Sequence, residues 1–306
     1  VLSNYAAEGV GRILIIDAET LEGECYELPD DSGAWALLWL PERGELLVGT
    51  CDHYGSLHCF QMEQRRFLRP LRIETETYLW NFALGGDGCV YAGTYPGCVL
   101  VKYDPEKRTL VSLGKVGDVD KNQYSRPIFA TSAGDIAISA GFYKNQAWLY
   151  RINTGRFLKL GKDGDSVRGV GDDFICLANG DFLTFIDSVT LDPIGTPISA
   201  DCPEDSPEIG RDSIRRFLAE EIHPAAVPGF PGHGSGIKTS SGRIIGVKGQ
   251  ELYVWENGKA SYRRIPGDPP STAIMTVAAA DGEIWGSSEN GQTLFCYNTN
   301  TGALKN

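Results

Sequence analysis

Long apolar runs are missing from these 306 residues, and with them the roughly 18 consecutive apolar residues that a membrane-spanning helix needs. No membrane association is expected, and the chain reads as soluble. Histidine is scarce, at four residues, and no CxxC pair accompanies it, so a structural zinc site is not signalled. GxSxG, HExxH, Walker-type GxxxxGK, a GxGxxG between strand and helix, and an EF-hand loop are all absent, which removes the common hydrolase, metalloprotease and nucleotide chemistries. No cofactor and no resident metal are expected. Basic residues are outnumbered, 28 against 40 acidic, and the formal charge of −12 repels phosphate backbones and anionic lipid. Nucleic acid is therefore not an expected partner, although a local basic pocket can still hold a small anion.

What the sequence does contain is a repeat. Short β-rich runs recur in fours: a run, a DG- or GD-like turn, a second run, a loop, a third run ending near an aromatic, and a fourth. The clearest copy runs from Tyr78 to Val116 as YLWNFALG, GDGCVYAGT, CVLVKYDPEKR and TLVSLGKV. Aligning third strands gives starts at Ile13, Leu57, Leu100, Trp148, Phe182, Leu252 and Leu294, with spacings of 44, 43, 48, 34, 70 and 42 residues. These intervals fit one four-stranded propeller blade each, except the long fifth, which carries an insertion at about 200–230. Within it Ile209, Ile214, Phe217, Leu218 and Ile222 fall near helical spacing before Pro224, predicting one amphipathic helix over Ser213 to Glu221. The expected fold is all-β: a seven-bladed β-propeller of four-stranded antiparallel blades, one domain over 1–306. VLSNYAAEG aligns with a second strand, so the first strand of the first blade is expected to precede residue 1.

The eight cysteines fall mostly inside predicted strands, where free cysteine acts as a small buried hydrophobe. Cys51 and Cys59 flank one predicted hairpin and form the best disulfide candidate. Secreted and cytoplasmic locations both stay open.

Tyr103-Asp104-Pro105, Ile152-Asn153-Thr154-Gly155 and the segment Tyr297 to Gly302 resemble the YDPxTG strand endings of kelch-like and quinoprotein-like propellers. That resemblance implies the fold. Glu74 to Trp80, together with Gly93-Thr94-Tyr95-Pro96-Gly97, resembles propeller polysaccharide lyases and glycosidases, and implies a carbohydrate substrate without assigning any residue a role.

The repeat also says which loops share an end of the blades. Loops joining second to third strands bring His53, Tyr54, Tyr95, Phe142, Tyr143 and Lys144, while loops entering first strands bring Glu74, Glu76, Tyr78, Tyr124, Arg126, Arg168 and His233. Aromatic faces stack on sugars and Arg pairs with carboxylates, so a uronate-containing oligosaccharide suits this inventory. In that reading Tyr95, Arg126, Arg168, Trp80 and Glu76 bind substrate, and His53, Tyr54, Tyr143 and His233 are candidates for the proton transfers of β-elimination. The bland readings are that loop His and Tyr residues are solvated or stabilise turns, and that Trp35, Trp39 and Trp80 are blade core. Asp163, Asp165, Asp172 and Asp173 form the one acidic loop that a hard cation would suit. Two functions emerge: a carbohydrate-active enzyme, with a lyase placed ahead of a glycoside hydrolase, or a non-catalytic propeller that binds a glycan or a protein through the same loops.

Overall fold

The computed structural model describes residues 2–4, 10–51, 54–200, 211–219, 237–238, 242–248, 251–264, 274–280, 283–288, 294–298, 300–301 and 304–305. Among them the chain forms seven antiparallel sheets, each a meander of sequential strands. The first holds β1 (Leu2–Asn4), β2 (Arg12–Ile16) and β3 (Gly23–Glu27). The second holds β4 (Gly33–Leu40), β5 (Glu45–Cys51) and β6 (Ser56–Gln61), with a fourth position split into β7 (Arg66–Phe67) and β8 (Leu71–Arg72), both paired to β6. Next come β9 (Tyr78–Leu84), β10 (Val90–Tyr95), β11 (Val99–Asp104) and β12 (Thr109–Lys115), then β13 (Tyr124–Ala130), β14 (Ile136–Gly141), β15 (Gln146–Arg151) and β16 (Arg156–Leu160). The fifth sheet is β17 (Ser166–Val170), β18 (Phe174–Asn179), β19 (Phe182–Asp187) and β20 (Pro193–Ser199), and α1 (Asp212–Phe217) follows it. The last two are β21 (Ile237–Lys238), β22 (Ile244–Lys248), β23 (Glu251–Glu256) and β24 (Lys259–Arg264), and β25 (Ile274–Ala280), β26 (Glu283–Ser288), β27 (Leu294–Asn298) and β28 (Leu304–Lys305). Each of the seven aligned segments falls in a strand, β2, β6, β11, β15, β19, β23 and β27, of which all but β2 are third in their sheets; β2 is the middle of three. The fold is all-β and built of propeller-type blades.

The chain divides into two compact units. One comprises Val1–Gly33 and Ala226–Asn306, with three of the sheets, and the other Ala34–Ala225, with four sheets and α1. In the second unit each sheet buries both faces, because alternate residues of a strand point to opposite sides. Val90, Ala92, Val101 and Tyr103 pack on Leu40, Leu47, Leu57 and Cys59 of the preceding sheet, while Tyr91 and Leu100 pack on Ile128, Ile136, Ile138 and Ala140 of the next. The opposite face of that next sheet carries Ala137, Ala147 and Leu149 against Val167, Ile175 and Leu177. The far face of the fifth sheet is covered by the helix: Ile214, Phe217 and Leu218 cap Phe174, Cys176, Phe185 and Ile198. The helix thus lies on a sheet face, and it starts one residue before the expected Ser213; the expected end at Glu221 lies outside the described residues.

Third-to-fourth strand turns share one device. The side-chain Oδ1 of Asp17, Asp104, Asp187 and Asn298 each accepts the backbone N–H groups two and three residues on, closing the turn locally. These bonds lower the pKa of Asp187, and of Asp17, where burial slightly opposes them.

One candidate from the sequence, the Cys51–Cys59 disulfide, is corrected here. Cys59 lies opposite Leu47, and Gly49 opposite Leu57, so Cys51 sits about 13 Å along the strand from the position facing Cys59. A disulfide needs Cα atoms about 4–7 Å apart, and the pairing is excluded. The acidic loop is committed internally. Asp163 accepts from Lys144, Lys159 and Gln146, Asp165 from the Lys162 N–H and Asn179, Asp172 from Arg216, and Asp173 from Arg211 and Ser213.

Candidate functional site

Three successive first strands carry an extra residue at the same place. In β9, Leu79 pairs with Thr94 and Phe82 with Ala92, leaving Trp80 and Asn81 opposite Gly93. In β13, Ser125 pairs with Ala140 and Ile128 with Ile138, leaving Arg126 and Pro127 opposite Ser139. In β17, Val167 pairs with Leu177 and Gly169 with Cys176, leaving Arg168 unmatched. Such bulges interrupt the ladder and re-aim a side chain. Trp80, Arg126 and Arg168, all expected as ligand-binding residues, are therefore structurally equivalent. The sheets are locked together at this level. The Thr94 N–H donates to Ser125 Oγ at 2.7 Å, Asn81 Nδ2 to the Ile128 carbonyl at 2.8 Å, and the Val167 N–H to Ser139 Oγ at 2.7 Å. Gly93 permits this approach, since a Cβ there would lie 1.6 Å from the Ser125 carbonyl oxygen.

Around the first two bulges the structure gathers aromatic rings from three sheets. Trp80 stacks on Tyr78 at 4.7 Å and meets Trp35 edge-on at 5.4 Å. Tyr78 and Tyr95 meet edge-on at 5.2 Å, Tyr95 stacks on Tyr124 at 4.8 Å, and Tyr124 lies 5.4 Å from both Trp80 and Phe142. Arg126 lays its guanidinium over Trp80 at 3.9 Å and over Tyr124 at 5.1 Å. The contact is a cation–π arrangement that fixes the plane of the fork. Among the described residues no carboxylate pairs with Arg126, which is exposed.

Backbone supports hold these rings. Glu76 is 3 % exposed; its carboxylate accepts the Gly97 N–H at 2.9 Å and its carbonyl accepts the Gly55 N–H at 3.1 Å. It therefore ties two loops together, a positioning task rather than the ligand contact expected of it. Asn122, 1 % exposed, donates to the Lys144 carbonyl at 2.7 Å and accepts from the Tyr143 and Lys144 N–H groups. That clamp holds Phe142 at φ 100, a region costly for a bulky side chain, with 71 % of the residue exposed.

The other expected residues are placed less centrally. Tyr54 is half exposed beneath Arg72, whose guanidinium lies 4.3 Å above its ring. Tyr143 is exposed with Lys121 at 5.0 Å over its ring. Arg168 is exposed on β17. His53 and His233 lie outside the described residues. Trp35 and Trp39, expected as blade core, are 45 % and 44 % exposed. Sequence reasoning grouped Tyr78, Tyr124 and Phe142 with the candidate loops without assigning them roles, and the structure brings them together; it gave Trp35 no place in the cluster and did not single out Asn122. Tyr78 and Tyr124 share a position two residues before a bulge, which only the register of the partner strand reveals. Among the described residues no group of three His, Cys, Asp or Glu side chains is arranged to hold a metal ion, and no helix is long and apolar enough to cross a membrane.

No protein-family model matches the chain, and no curated protein matches it. Among solved structures it is similar to a catalytically inactive virginiamycin B lyase from Staphylococcus aureus with quinupristin, at 12% identity and TM-score 0.46, covering 97% of this chain and 87% of the lyase. A streptogramin B lyase gives 12% identity and TM-score 0.49, covering 93% and 88%. The extracellular domain of a one-component system from B. thetaiotaomicron gives 11% and 0.48, covering 99% of this chain and 46% of that one. Likeness at this level carries no argument about function.

Proposed function

We propose that this protein binds an acidic, ring-containing ligand, of the class of uronate oligosaccharides, through the aromatic and arginine cluster of the sheets β4–β8, β9–β12 and β13–β16. The observation that carries the reading is Arg126, stacked 3.9 Å above Trp80 with no carboxylate partner among the described residues. A planar guanidinium held by a ring offers two parallel donors to a carboxylate, and exposed rings beside it offer apolar faces to the C–H side of a sugar. The cluster has the character of an aromatic surface, which suits binding. In the second reading the same Arg126 neutralises the carboxylate during β-elimination, with Tyr95 or Tyr124 near it as a proton carrier. The seven sheets are read as seven blades of one propeller domain.

Titration with uronate oligosaccharides, followed by tryptophan fluorescence, tests the binding reading, since Trp35 and Trp80 belong to the cluster. Absorbance near 235 nm in the same samples reports the unsaturated product of elimination. Saturable quenching with flat absorbance supports a binding module; rising absorbance supports the lyase; neither signal with any acidic sugar refutes the assignment. A single unfolding transition by calorimetry supports one domain.

A further inference from the structure

Trp35, Trp80, Tyr124 and Phe142 follow one another in three centroid steps of 5.4 Å each, crossing from β4 to β9 to β13 and on past the end of β14. Exposure along this row is uneven. Trp35 is 45 % and Phe142 71 % exposed, while Trp80 between them is 9 % exposed with Arg126 over its ring. The indole N–H of Trp80 is buried with no acceptor among the described residues, so an unfilled donor adjoins the guanidinium.

Building on the proposed binding of an acidic sugar, we infer that the site takes an extended chain of at least three sugar rings, with its acidic group over Arg126 at the centre and flanking rings on Trp35 and Phe142. A single ring would cover the arginine position and leave both outer aromatics wet. A longer chain buries them as well, and each added stacking contact tightens the complex. The conformation of Phe142 supports this assignment. A bulky residue held at φ 100 by Asn122, yet largely exposed, is a strained feature that core packing does not require, and such features gather at binding sites.

The test is a length series. Oligomers of one, two, three and six units prepared from polygalacturonate, alginate and hyaluronan are titrated into the full chain, with neutral xylo-oligosaccharides of equal length beside them. The expected result, for at least one acidic series, is affinity rising at least tenfold from one unit to three and levelling off soon after. In Phe142→Ala and in Trp35→Ala the ratio of long-chain to short-chain affinity should shrink at least fivefold. Phe142→Tyr should restore the ratio, which separates loss of a ring from misfolding. Equal affinity for one and six units overturns the extended-chain inference while leaving the binding reading intact. Absence of binding by every acidic oligomer overturns both, and equal binding of the neutral series overturns the central acidic position.

Discussion

The buried carboxylate of Glu76 accepts the backbone N–H of Gly97 at 2.9 Å, and a Cβ on Gly97 would lie 2.2 Å from Glu76 Oε1. The carboxylate fills the space that a side chain at position 97 would need, and Tyr95 stands two positions away. Glu76→Ala leaves the half-buried Gly97 N–H without its acceptor and should lower stability by about 1–3 kcal/mol. Gly97→Ala displaces the carboxylate and should weaken ligand binding through Tyr95. Urea unfolding and fluorescence titration of both variants check this, and wild-type stability in Glu76→Ala would refute the strut.

Arg126 acts as a plane as well as a charge. Arg126→Ala should abolish the preference for acidic over neutral sugars. Arg126→Lys keeps the charge but loses the flat stack on Trp80 and the paired donors, so it should recover little of the affinity. Calorimetric titration of both variants with the same acidic oligomer decides the point, and full recovery by lysine would show that charge alone suffices.

Asp87 provides a pH test. Desolvation raises its pKa, but bonds from the Lys102 ammonium, the Cys89 N–H and the Tyr91 hydroxyl outweigh this and hold it below the ordinary 3.8. A carboxyl depressed in the folded state stabilises fully above its unfolded pKa, and the contribution is lost as pH falls through the folded value. Midpoints of thermal unfolding should therefore fall on acidification below about pH 4, and Asp87→Asn should flatten part of that decline. An identical acid limb in the variant would remove Asp87 from the account.

Burial pushes the thiols of Cys59 and Cys98 up to about 11 and that of Cys176 to about 12. The thiolate is the reactive form, so these three should resist iodoacetamide at pH 8 in the folded protein and label once it is unfolded. Peptide mass mapping checks each site separately. Rapid native labelling of Cys176 would mean that α1 does not cover its sheet.

The blades were legible because two signals coincide. Short runs rich in Val, Ile, Leu, Tyr and Phe mark the strands, and an Asx acceptor such as Asp104 or Asp187 closes the turn after the third. The helix was legible from Ile214, Phe217 and Leu218, which do face the core. The bulges were not, because one surplus residue in β9 or β13 shows only against the register of the partner strand. That same register separates Cys51 from Cys59. Glu76 could not be distinguished from an exposed acid, since its burial depends on backbone donors from two other loops. The exposure of Trp35 and Trp39 was equally hidden: a tryptophan on a first strand reads as core until the packing of both faces is known.

The surplus residue in each first strand is set by backbone register and not by the side chain there, so positions 80, 126 and 168 are equivalent sockets, the first filled by the largely buried Trp80 and the other two by exposed arginines. Leu79, Ile128 and Val167, which hold the stack, lie beside these sockets but face the buried side. Exchanging what the sockets carry, one sheet at a time, would rewrite which ligand the face selects while the interior stays as it is: an arginine could move along the row, or an aromatic could replace Arg168.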